Sequence, residues 1–296
     1  QFGIFLYALA VGFIGRKIKM QKITFQGAPG AYSHIACKEL FPGADYIASD
    51  TFEQAMELVD NGEADFAVIP VENSNAGRVS DVHFLLPKTD LTIVGEHFLR
   101  VEHQLLALPG AKLEEIEAAA SHPQALAQCS EFLKKHAIKA LSRIDTAKSC
   151  ERIVEMQDKT RAAIASKLAA EIYGLDILAS NIENEANNTT RFLVMSRHKA
   201  MPADDGSKFI TSLVFHVKNI PAALYKALGG FATNGVNLIK LESYVVGGNF
   251  VSAQFYVEIE AHPESQAFKL AFDELKFYSE GIHFLGTYKA NPRRYL

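Results

Sequence analysis

The sequence predicts an α/β fold in two parts, a larger domain followed by a smaller one. From Lys22 to about Arg197, short apolar runs alternate with helical patterns. The run Asp65–Pro70 is apolar from Phe66 onward, as buried parallel strands are. Residues 198–207 form a polar linker with proline and glycine. After the linker the order becomes βαββαβ, which describes a ferredoxin-like unit with an antiparallel sheet.

The elements of the larger domain follow from local patterns. Thr51 is placed to cap a helix that runs to about Asn61, because Gln54 completes a capping box. Further helices are predicted over 31–40, 123–136 and 146–157, and strands over 23–25, 65–70, 91–96, 104–108, 139–143, 162–165 and 191–195.

The smaller domain has longer strands. They are predicted over 209–217, 236–246, 252–259 and 282–288, with helices over 221–233 and 263–278. The chain is therefore expected to divide into a leader at 1–19, an α/β domain at 20–198 and a βαββαβ domain at 209–289.

Composition narrows the classes of function. The 296 residues are enough for two or three compact units, and 48% hydrophobic with 22% charged residues is typical of globular proteins. A formal net charge of −4 leaves no basic excess to neutralise phosphates, which argues against nucleic acid as a partner.

The cysteines indicate a reducing compartment. Cys37, Cys129 and Cys150 are scattered, odd in number and without metal-ligand spacing. Free thiols of this kind fit the cytoplasm better than a disulfide framework does. We therefore expect a cytoplasmic protein without a metal site.

The first nineteen residues differ from the rest. Phe2–Ile14 is a continuous apolar run, and basic residues follow it, whereas a secretory signal begins with its positive charge. The run is also shorter than the roughly 20 residues of a membrane span. We expect an upstream mis-start or leader rather than an anchor, with Met20 as the candidate start.

Three polar loops follow predicted strands, which is where ligand sites collect in open α/β sheets. The first, Gly27–Ser33, has the sequence GAPGAYS and precedes a helix. Its glycines would let backbone amides approach an anion, although a plain tight turn also explains them. It lacks the GxGxxG pattern, which disfavours a nicotinamide cofactor.

The second loop is Pro70–Gly77, with the sequence PVENSNAG. Glu72, Asn73 and Ser74 place a carboxylate, an amide and a hydroxyl side by side. An Asx-rich turn that caps the next helix is the alternative.

The third loop begins a helix, with the sequence SHPQALAQ. Ser121 and Gln124 fit a capping box. Capping does not explain Gln128, one turn further on the same face. A helix start with a hydroxyl and two amides is an anion cradle, to which His122 could add charge.

A fourth polar segment precedes the strand FLVMS. It contains Asn187, Asn188, Thr189, Thr190 and Arg191. Edge-strand residues are one explanation. Taken with the three loops, the segment predicts a polar pocket for a small polyanion, lined by hydroxyls and amides and without metal or cofactor.

The motifs GAPGAYS, PVENSNAGRV, SHPQALAQC and NTTRF occur here in the order and spacing seen in prephenate dehydratases, and the chain resembles that family. The resemblance implies two α/β subdomains similar to those of periplasmic binding proteins, with the active site in the cleft between them. No mutase-type helical segment precedes Lys22, so a monofunctional enzyme is expected. The resemblance implies that Thr190 is the essential catalytic residue, with Glu72, Ser121 and Gln128. The implied substrate-binding residues are Gly30, Ala31, Tyr32, Ser33, Asn73, Ser74, Gly77, His122, Thr189, Arg191 and Phe192.

The implied reaction converts prephenate to phenylpyruvate, water and CO2 in L-phenylalanine biosynthesis. Aromatisation drives it, so the enzyme need only orient the ring and help hydroxide leave as water, without metal or cofactor. The Thr190 hydroxyl would meet the departing oxygen, and the proton would come from water, Glu72 or His122. The two substrate carboxylates would meet helix starts together with Arg191 or His122.

The smaller domain resembles the ACT fold, which in this family binds phenylalanine at a dimer interface. The usual Gly-Ala-Leu-Ala is here Ala222–Tyr225, and the usual Glu-Ser-Arg-Pro is Glu242–Val245. These departures leave the strength and sign of regulation open, and a domain kept only for oligomerisation is the alternative. A homodimer or homotetramer through both domains is implied. The implied phenylalanine-binding residues are Asn219, Pro221, Ala222, Ala223, Leu224, Asn237, Leu238, Glu242 and Ser243.

Two other functions stay open. Arogenate dehydratase uses the same machinery on a substrate with an amino group in place of the keto group. A non-catalytic amino-acid sensor would join a binding-protein-like cleft to an ACT module. The Thr190–Arg191 pair and the Glu-Asn-Ser loop count against the sensor, because ligand capture alone would not require all four motifs.

Overall fold

The computed structural model describes residues 20–143, 145–246 and 249–295. The predicted leader, 1–19, lies outside these residues. Among the described residues, no helix combines the length and the apolar character needed to cross a membrane.

The described chain forms two compact units. The first contains residues 20–82 and 97–192, and the second contains 83–96 and 193–295. Residues 83–96, which the sequence pattern assigned to the larger domain, are thus grouped with the C-terminal part. The domain boundaries themselves stay a prediction.

The described helices include two, over 80–85 and 167–173, that the sequence pattern did not predict. Together, the described helices are α1 (Tyr32–Leu40), α2 (Phe52–Asp60), α3 (Ser80–Leu85), α4 (Pro123–Gln128), α5 (Ser130–Lys135), α6 (Thr146–Met156), α7 (Lys167–Tyr173), α8 (Ala223–Thr233) and α9 (Gln266–Tyr278), with short 3-10 turns at Leu86–Lys88, Leu113–Glu115 and Pro292–Tyr295.

The described strands include several that the sequence pattern did not predict. They are β1 (Lys22–Gln26), β2 (Asp45–Ser49), β3 (Phe66–Asn73), β4 (Gly77–Arg78), β5 (Thr92–Arg100), β6 (Gln104–Ala107), β7 (Ala118–Ser121), β8 (Lys139–Ser142), β9 (Arg161–Ala165), β10 (Asp176–Ala179), β11 (Thr189–Ser196), β12 (Phe209–Val217), β13 (Asn237–Val246), β14 (Asn249–Glu260) and β15 (Ser279–Lys289).

In two of the predicted helices the structure has a non-helical residue. The helix predicted over 123–136 is broken at Cys129, whose φ of −112° and ψ of 14° are not helical. The helix predicted over 221–233 begins at Ala223, because Ala222 is left-handed with φ 59°. By contrast, the Thr51 cap is confirmed, since its hydroxyl accepts a hydrogen bond from the backbone N–H of Gln54.

One sheet has the strand order β2-β1-β3-β11-β5, with β4 paired to β3. Strand β1 is parallel to both β2 and β3. Its buried residues Ile23 and Phe25 are covered by helices, which is typical of a parallel sheet. Strands β3 and β11 are neighbours here, and this adjacency builds the site described below.

The other sheet of the first unit has the order β10-β6-β9-β7-β8. Alternate residues pack into different cores: Leu105 and Ile164 lie in one apolar cluster, and Leu106 and Ala163 lie in another. The sheet is therefore covered on both faces, as predicted. Full burial of a Leu or Ile side chain stabilises the fold by about 1.5–3 kcal/mol.

The second unit contains a four-stranded sheet of order β13-β14-β12-β15, with antiparallel neighbours. Its elements follow the predicted βαββαβ order. Helices α8 and α9 cover one face, where Phe215, Phe231 and Phe268 are buried. At Gly230 an added Cβ would lie 2.9 Å from the side chain of Glu274, so a glycine lets the two helices approach closely.

The opposite face of this sheet packs against residues 83–96 and the C-terminal segment. At Gly286 an added Cβ would lie 2.2 Å from the carbonyl oxygen of Ile93, so the backbones of these two residues are in direct contact. We define the charged cluster as Glu96, Glu258, Arg294 and Tyr256. Both carboxylate side chains are fully buried, and Arg294 binds both of them. The Tyr256 hydroxyl donates to Glu258 over 2.6 Å.

Candidate functional site

The site begins where β3 ends beside the start of β11. Ser74 joins the two: its backbone N–H donates to the carbonyl of Thr189 over 2.8 Å, and its hydroxyl accepts from the N–H of Thr189 over 2.9 Å. The same hydroxyl lies 2.9 Å from the carbonyl oxygen of Asn187. Ser74 therefore holds the polar segment before β11 against the end of β3.

Asn73 is fixed by the backbone of its own turn. Its Oδ1 accepts from the N–H groups of Asn75 at 3.1 Å and Ala76 at 3.0 Å. The Nδ2 group must therefore face the other way, where it donates to Asn188 Oδ1 over 2.7 Å and Thr190 Oγ1 over 3.0 Å. Thr190 is an acceptor in this contact, which leaves its own O–H proton available for another group.

The hydrogen bonds continue from Asn188 to α4. Asn188 Nδ2 donates to Gln128 Oε1 over 3.0 Å, and the same oxygen lies 2.9 Å from His103 Nε2. His103 Nδ1 is 2.8 Å from the hydroxyl of Tyr32 on α1. We call these six residues the amide network: Tyr32, His103, Gln128, Asn188, Asn73 and Thr190.

Two titratable members of the amide network, His103 and Tyr32, are neutral near neutral pH. Burial lowers the pKa of His103 from its ordinary value of 6.5, against the opposing effects of the Gln128 hydrogen bond and Glu183. Burial also raises the pKa of Tyr32 well above 10.0, with nearby Cys129 and Glu183 acting in the same direction. Both groups are therefore held in their neutral forms near neutral pH.

Glu72 and Arg191 pair with each other. Successive residues of a strand point to opposite faces, so Glu72 and Asn73 diverge on β3, as Thr190 and Arg191 do on β11. Arg191 Nη1 is 3.9 Å from Glu72 Oε2, and the Arg191 side chain is 5% exposed. The expectation that one loop presents Glu72, Asn73 and Ser74 together is therefore corrected. The side chains of Glu72 and Asn73 point to opposite faces of the sheet, because the two residues are neighbours in a strand.

The third loop also differs from its prediction. Ser121 is still in β7, fully buried, and its hydroxyl donates to the carbonyl of Ile164 over 2.7 Å. The predicted capping box is wrong: His122 is the N-cap residue, and its Nδ1 accepts from the N–H of Gln124 over 3.3 Å. Helix α4 is only six residues long, so its start is a weak anion site.

The first loop packs internally. Gly30 has φ +90°, and an added Cβ would lie 2.8 Å from the Cα of Ala169 on α7. Its N–H donates to His34 Nδ1 over 3.1 Å, and its carbonyl accepts from the Ser166 hydroxyl over 2.6 Å. Gly30 thus serves close approach between chain segments, whereas the sequence pattern suggested approach to an anion.

Other predicted site residues have varied environments. Phe192 and Ser33 are buried, and Ala31 packs in a small apolar cluster. Gly77 has φ +78° and pairs with Asn73 across the β3–β4 hairpin. In the part of the chain that is described, no group of three or more His, Cys, Asp or Glu side chains could hold a metal ion.

The predicted phenylalanine-binding residues fall in two places. Asn219, Pro221, Ala222, Ala223 and Leu224 form the turn before α8 and its first residues, and Asn237, Leu238, Glu242 and Ser243 lie on β13. Asn237 and Glu242 make polar contacts with other side chains of the sheet.

Asn237 Nδ2 lies 3.3 Å from Glu260 Oε2, and Glu242 lies 3.5 Å from the Lys240 ammonium. Leu224 and Leu238 pack against the second unit's core.

The sequence pattern did not identify His103. No local signal marks it, because its role depends on α4 and α1 lying beside the β5–β6 connection. Asn188 was visible as part of the NNTTR segment, but its link to Gln128 depends equally on the fold.

The chain is similar to known proteins over most of its length. The prephenate dehydratase family model matches residues 23–200. A bifunctional N-acyl-homoserine lactone acylase/prephenate dehydratase of Komagataeibacter europaeus is 46% identical over 92% of this chain and 97% of its own length. The chloroplastic arogenate dehydratase/prephenate dehydratase 1 of Arabidopsis thaliana is 39% identical over 90% of this chain and 71% of its own length.

A solved structure is also similar. The prephenate dehydratase of Arthrobacter aurescens, in complex with L-Phe, superposes with a TM-score of 0.84 at 29% identity, covering 91% of this chain and 90% of that one. The matched region contains all six residues of the amide network. The chain belongs to the prephenate dehydratase family, hydro-lyases of phenylalanine biosynthesis.

Proposed function

We propose that the protein catalyses the decarboxylative dehydration of prephenate to phenylpyruvate, water and CO2. The observation that supports it most is the hydrogen bond from Asn73 Nδ2 to Thr190 Oγ1 over 3.0 Å. Because Thr190 accepts there, its O–H can be donated to the oxygen that leaves the ring. A donor already fixed in place serves the transition state without reorganising during the reaction.

The substrate lies beside Thr190 and Gln128 in this proposal. Gln128 Oε1 is taken by Asn188 and His103, so its amide N–H groups are left for a substrate oxygen. Thr190 belongs to the sheet of β3 and β11, and Gln128 belongs to the helices that cover the other sheet of the first unit. A substrate held by both is oriented between two rigid elements.

The ultimate proton comes from water in this proposal. The threonine hydroxyl is too weak an acid to be the source, and Glu72 is beside Arg191 on the other strand face. His122 caps α4 and is exposed to solvent. Thr190 accordingly stabilises the departing oxygen, and a water molecule supplies the proton.

An ultraviolet assay of the purified protein tests this proposal and its nearest rival. Phenylpyruvate formed from prephenate, faster than phenylalanine from arogenate, is the expected result. A preference for arogenate would make the protein an arogenate dehydratase, and activity on neither substrate would favour the non-catalytic sensor.

We further propose that the second unit is an ACT domain that binds phenylalanine and lowers activity in a homodimer or homotetramer. The βαββαβ order, the sheet order and the L-Phe complex of the Arthrobacter relative support this assignment. Coupling of this kind is typically about 1–3 kcal/mol. Calorimetry should detect phenylalanine binding, with tyrosine as the control ligand, and no heat at millimolar phenylalanine would contradict it.

A second candidate activity comes from the Komagataeibacter relative, whose name includes N-acyl-homoserine lactone acylase. Identity of 46% over nearly the full length of both chains favours testing it. Release of homoserine lactone from an N-acyl homoserine lactone by wild type, but not by a heat-inactivated sample, would support it. The absence of any release would restrict the protein to the dehydratase reaction.

A further inference from the structure

His103 is a buried histidine that the reaction scheme above does not use. Its side chain is 2% exposed, and it lies in the short connection between β5 and β6. Its two ring nitrogens contact Gln128 and Tyr32, and its backbone N–H donates to Glu183 Oε2 over 2.9 Å.

The direction of every hydrogen bond in the network is set from one end. The backbone N–H groups of Asn75 and Ala76 can only donate, so Asn73 presents its oxygen to them and its Nδ2 to Asn188. Asn188 therefore accepts through Oδ1 and donates through Nδ2 to Gln128 Oε1. An oxygen has no proton to give, so the His103 Nε2 atom 2.9 Å away must be protonated.

We propose that His103 is a positioning residue for the dehydratase reaction, whose Nε2–H holds Gln128 Oε1 and thereby turns the Gln128 amide N–H groups to the substrate. The inference rests on the proposed function, because it assigns those N–H groups to prephenate. Among the described residues, nothing accepts a hydrogen bond from Gln128 Nε2.

Tyr32 completes the arrangement. With Nε2 protonated, the neutral ring has its lone pair on Nδ1, and the Tyr32 hydroxyl 2.8 Å away donates to it. The same hydroxyl is 2.9 Å from the carbonyl oxygen of Glu102. If His103 gains a proton, its Nδ1–H can donate to Tyr32 while the hydroxyl turns to Glu102.

The hydrogen bond from His103 Nε2–H to Gln128 Oε1 is therefore kept when His103 is protonated. The charged and titratable groups around the ring are Tyr32, Glu183 and Glu102, with Arg100 Nη2 4.0 Å from Glu183 Oε1. In this arrangement only the Tyr32 side of the ring changes with pH. We expect the pH profile of kcat to be the same in wild type and in a variant that keeps the donor.

A pair of substitutions isolates the donor. His103→Gln keeps an N–H near the position of Nε2, and His103→Leu removes it at similar size. His103→Leu should lower kcat by up to about 10²-fold with little change in KM, as expected when a group near the substrate is misplaced. His103→Gln should recover most of that loss, and equal losses in the two variants would overturn the proposal.

A double-mutant cycle separates positioning from a general structural effect. In a Gln128→Ala background, His103→Leu should change kcat by less than about twofold, because the side chain that it positions is gone. The same large loss in both backgrounds would mean that His103 acts on the fold and not through Gln128.

Nitrogen-15 NMR of histidine-labelled protein gives a readout without substrate. The neutral Nε2–H tautomer is expected for His103 in wild type, and it should be kept in Tyr32→Phe. An Nδ1–H tautomer would overturn the proposal whatever the substrate is. The expected tautomer in a protein that is inactive on both prephenate and arogenate would instead place the failure in the proposed function.

Discussion

The amide network of the first unit and the charged cluster of the second both consist of polar side chains removed from solvent. The network is made of neutral groups, whereas the cluster contains ionised side chains. The network joins neutral amides, a hydroxyl and an imidazole, with donors left over at Thr190 and Gln128. The cluster places two fully buried carboxylates around Arg294.

The difference indicates what each can do. Neutral groups are removed from water at modest cost, so a network can keep unused donors for a ligand. Buried ions are strongly destabilising when one partner is lost, so they suit a contact that stays closed. We therefore expect changes in the network to affect rate and changes in the cluster to affect stability.

The largest effect on rate is expected at Thr190. Thr190→Ala should lower kcat by roughly 10²–10⁴-fold with a small change in KM, because its hydroxyl acts on the departing oxygen as charge develops. Thr190→Ser keeps the hydroxyl and should retain a substantial fraction of the rate. Thr189→Ala, on the other strand face, is the matched control and should be much milder. Steady-state kinetics on folded protein checks this, and a Thr190→Ala enzyme with more than about a tenth of wild-type kcat would lie outside that range.

A loss of stability without a loss of chemistry is expected at Arg294. Arg294→Met leaves Glu96 and Glu258 buried without their shared cation, which should lower the free energy of unfolding by about 3–5 kcal/mol. Lys199→Met, at an exposed lysine of the same unit, should change it by less than about 0.5 kcal/mol. Denaturant unfolding measures both. Equal effects of the two substitutions, or a large fall in kcat of folded Arg294→Met, would break the comparison.

The smallest effect is expected in the free energy of unfolding at acidic pH. Burial lowers the pKa values of His103 and His34 from 6.5, so the folded protein binds fewer protons than the unfolded chain below that pH. The free energy of unfolding should therefore fall as pH drops through 6.5 towards the folded-state pKa values. His103→Gln should show a shallower fall in denaturant unfolding measured across this range. An unchanged slope would mean that His103 does not titrate with folding.

Much of the fold could be predicted because alternating strand and helix patterns are local. The left-handed backbone at Ala222 could not, since alanine rarely adopts it, and no glycine marks the break at Cys129. Nor could the grouping of residues 83–96 with the second unit, which depends on contacts such as that of Ile93 with Gly286.

The site was predictable to a similar degree. Asn73, Gln128 and Thr190 come from motifs and are joined by the network. Glu72 was grouped with Asn73 because the two are adjacent, whereas the pleat of β3 separates them. His103 has no sequence signal, since its partners come from distant parts of the chain.

The fixed direction of the amide network has a consequence for inhibitor chemistry. Because the turn after Asn73 sets each amide in order, Thr190 and Gln128 both offer protons at their open positions. A compound designed for this site should therefore present oxygen acceptors, such as an alkoxide or carboxylate mimic of the departing hydroxyl. An amine or amide N–H in the same place would meet a second donor and lose affinity.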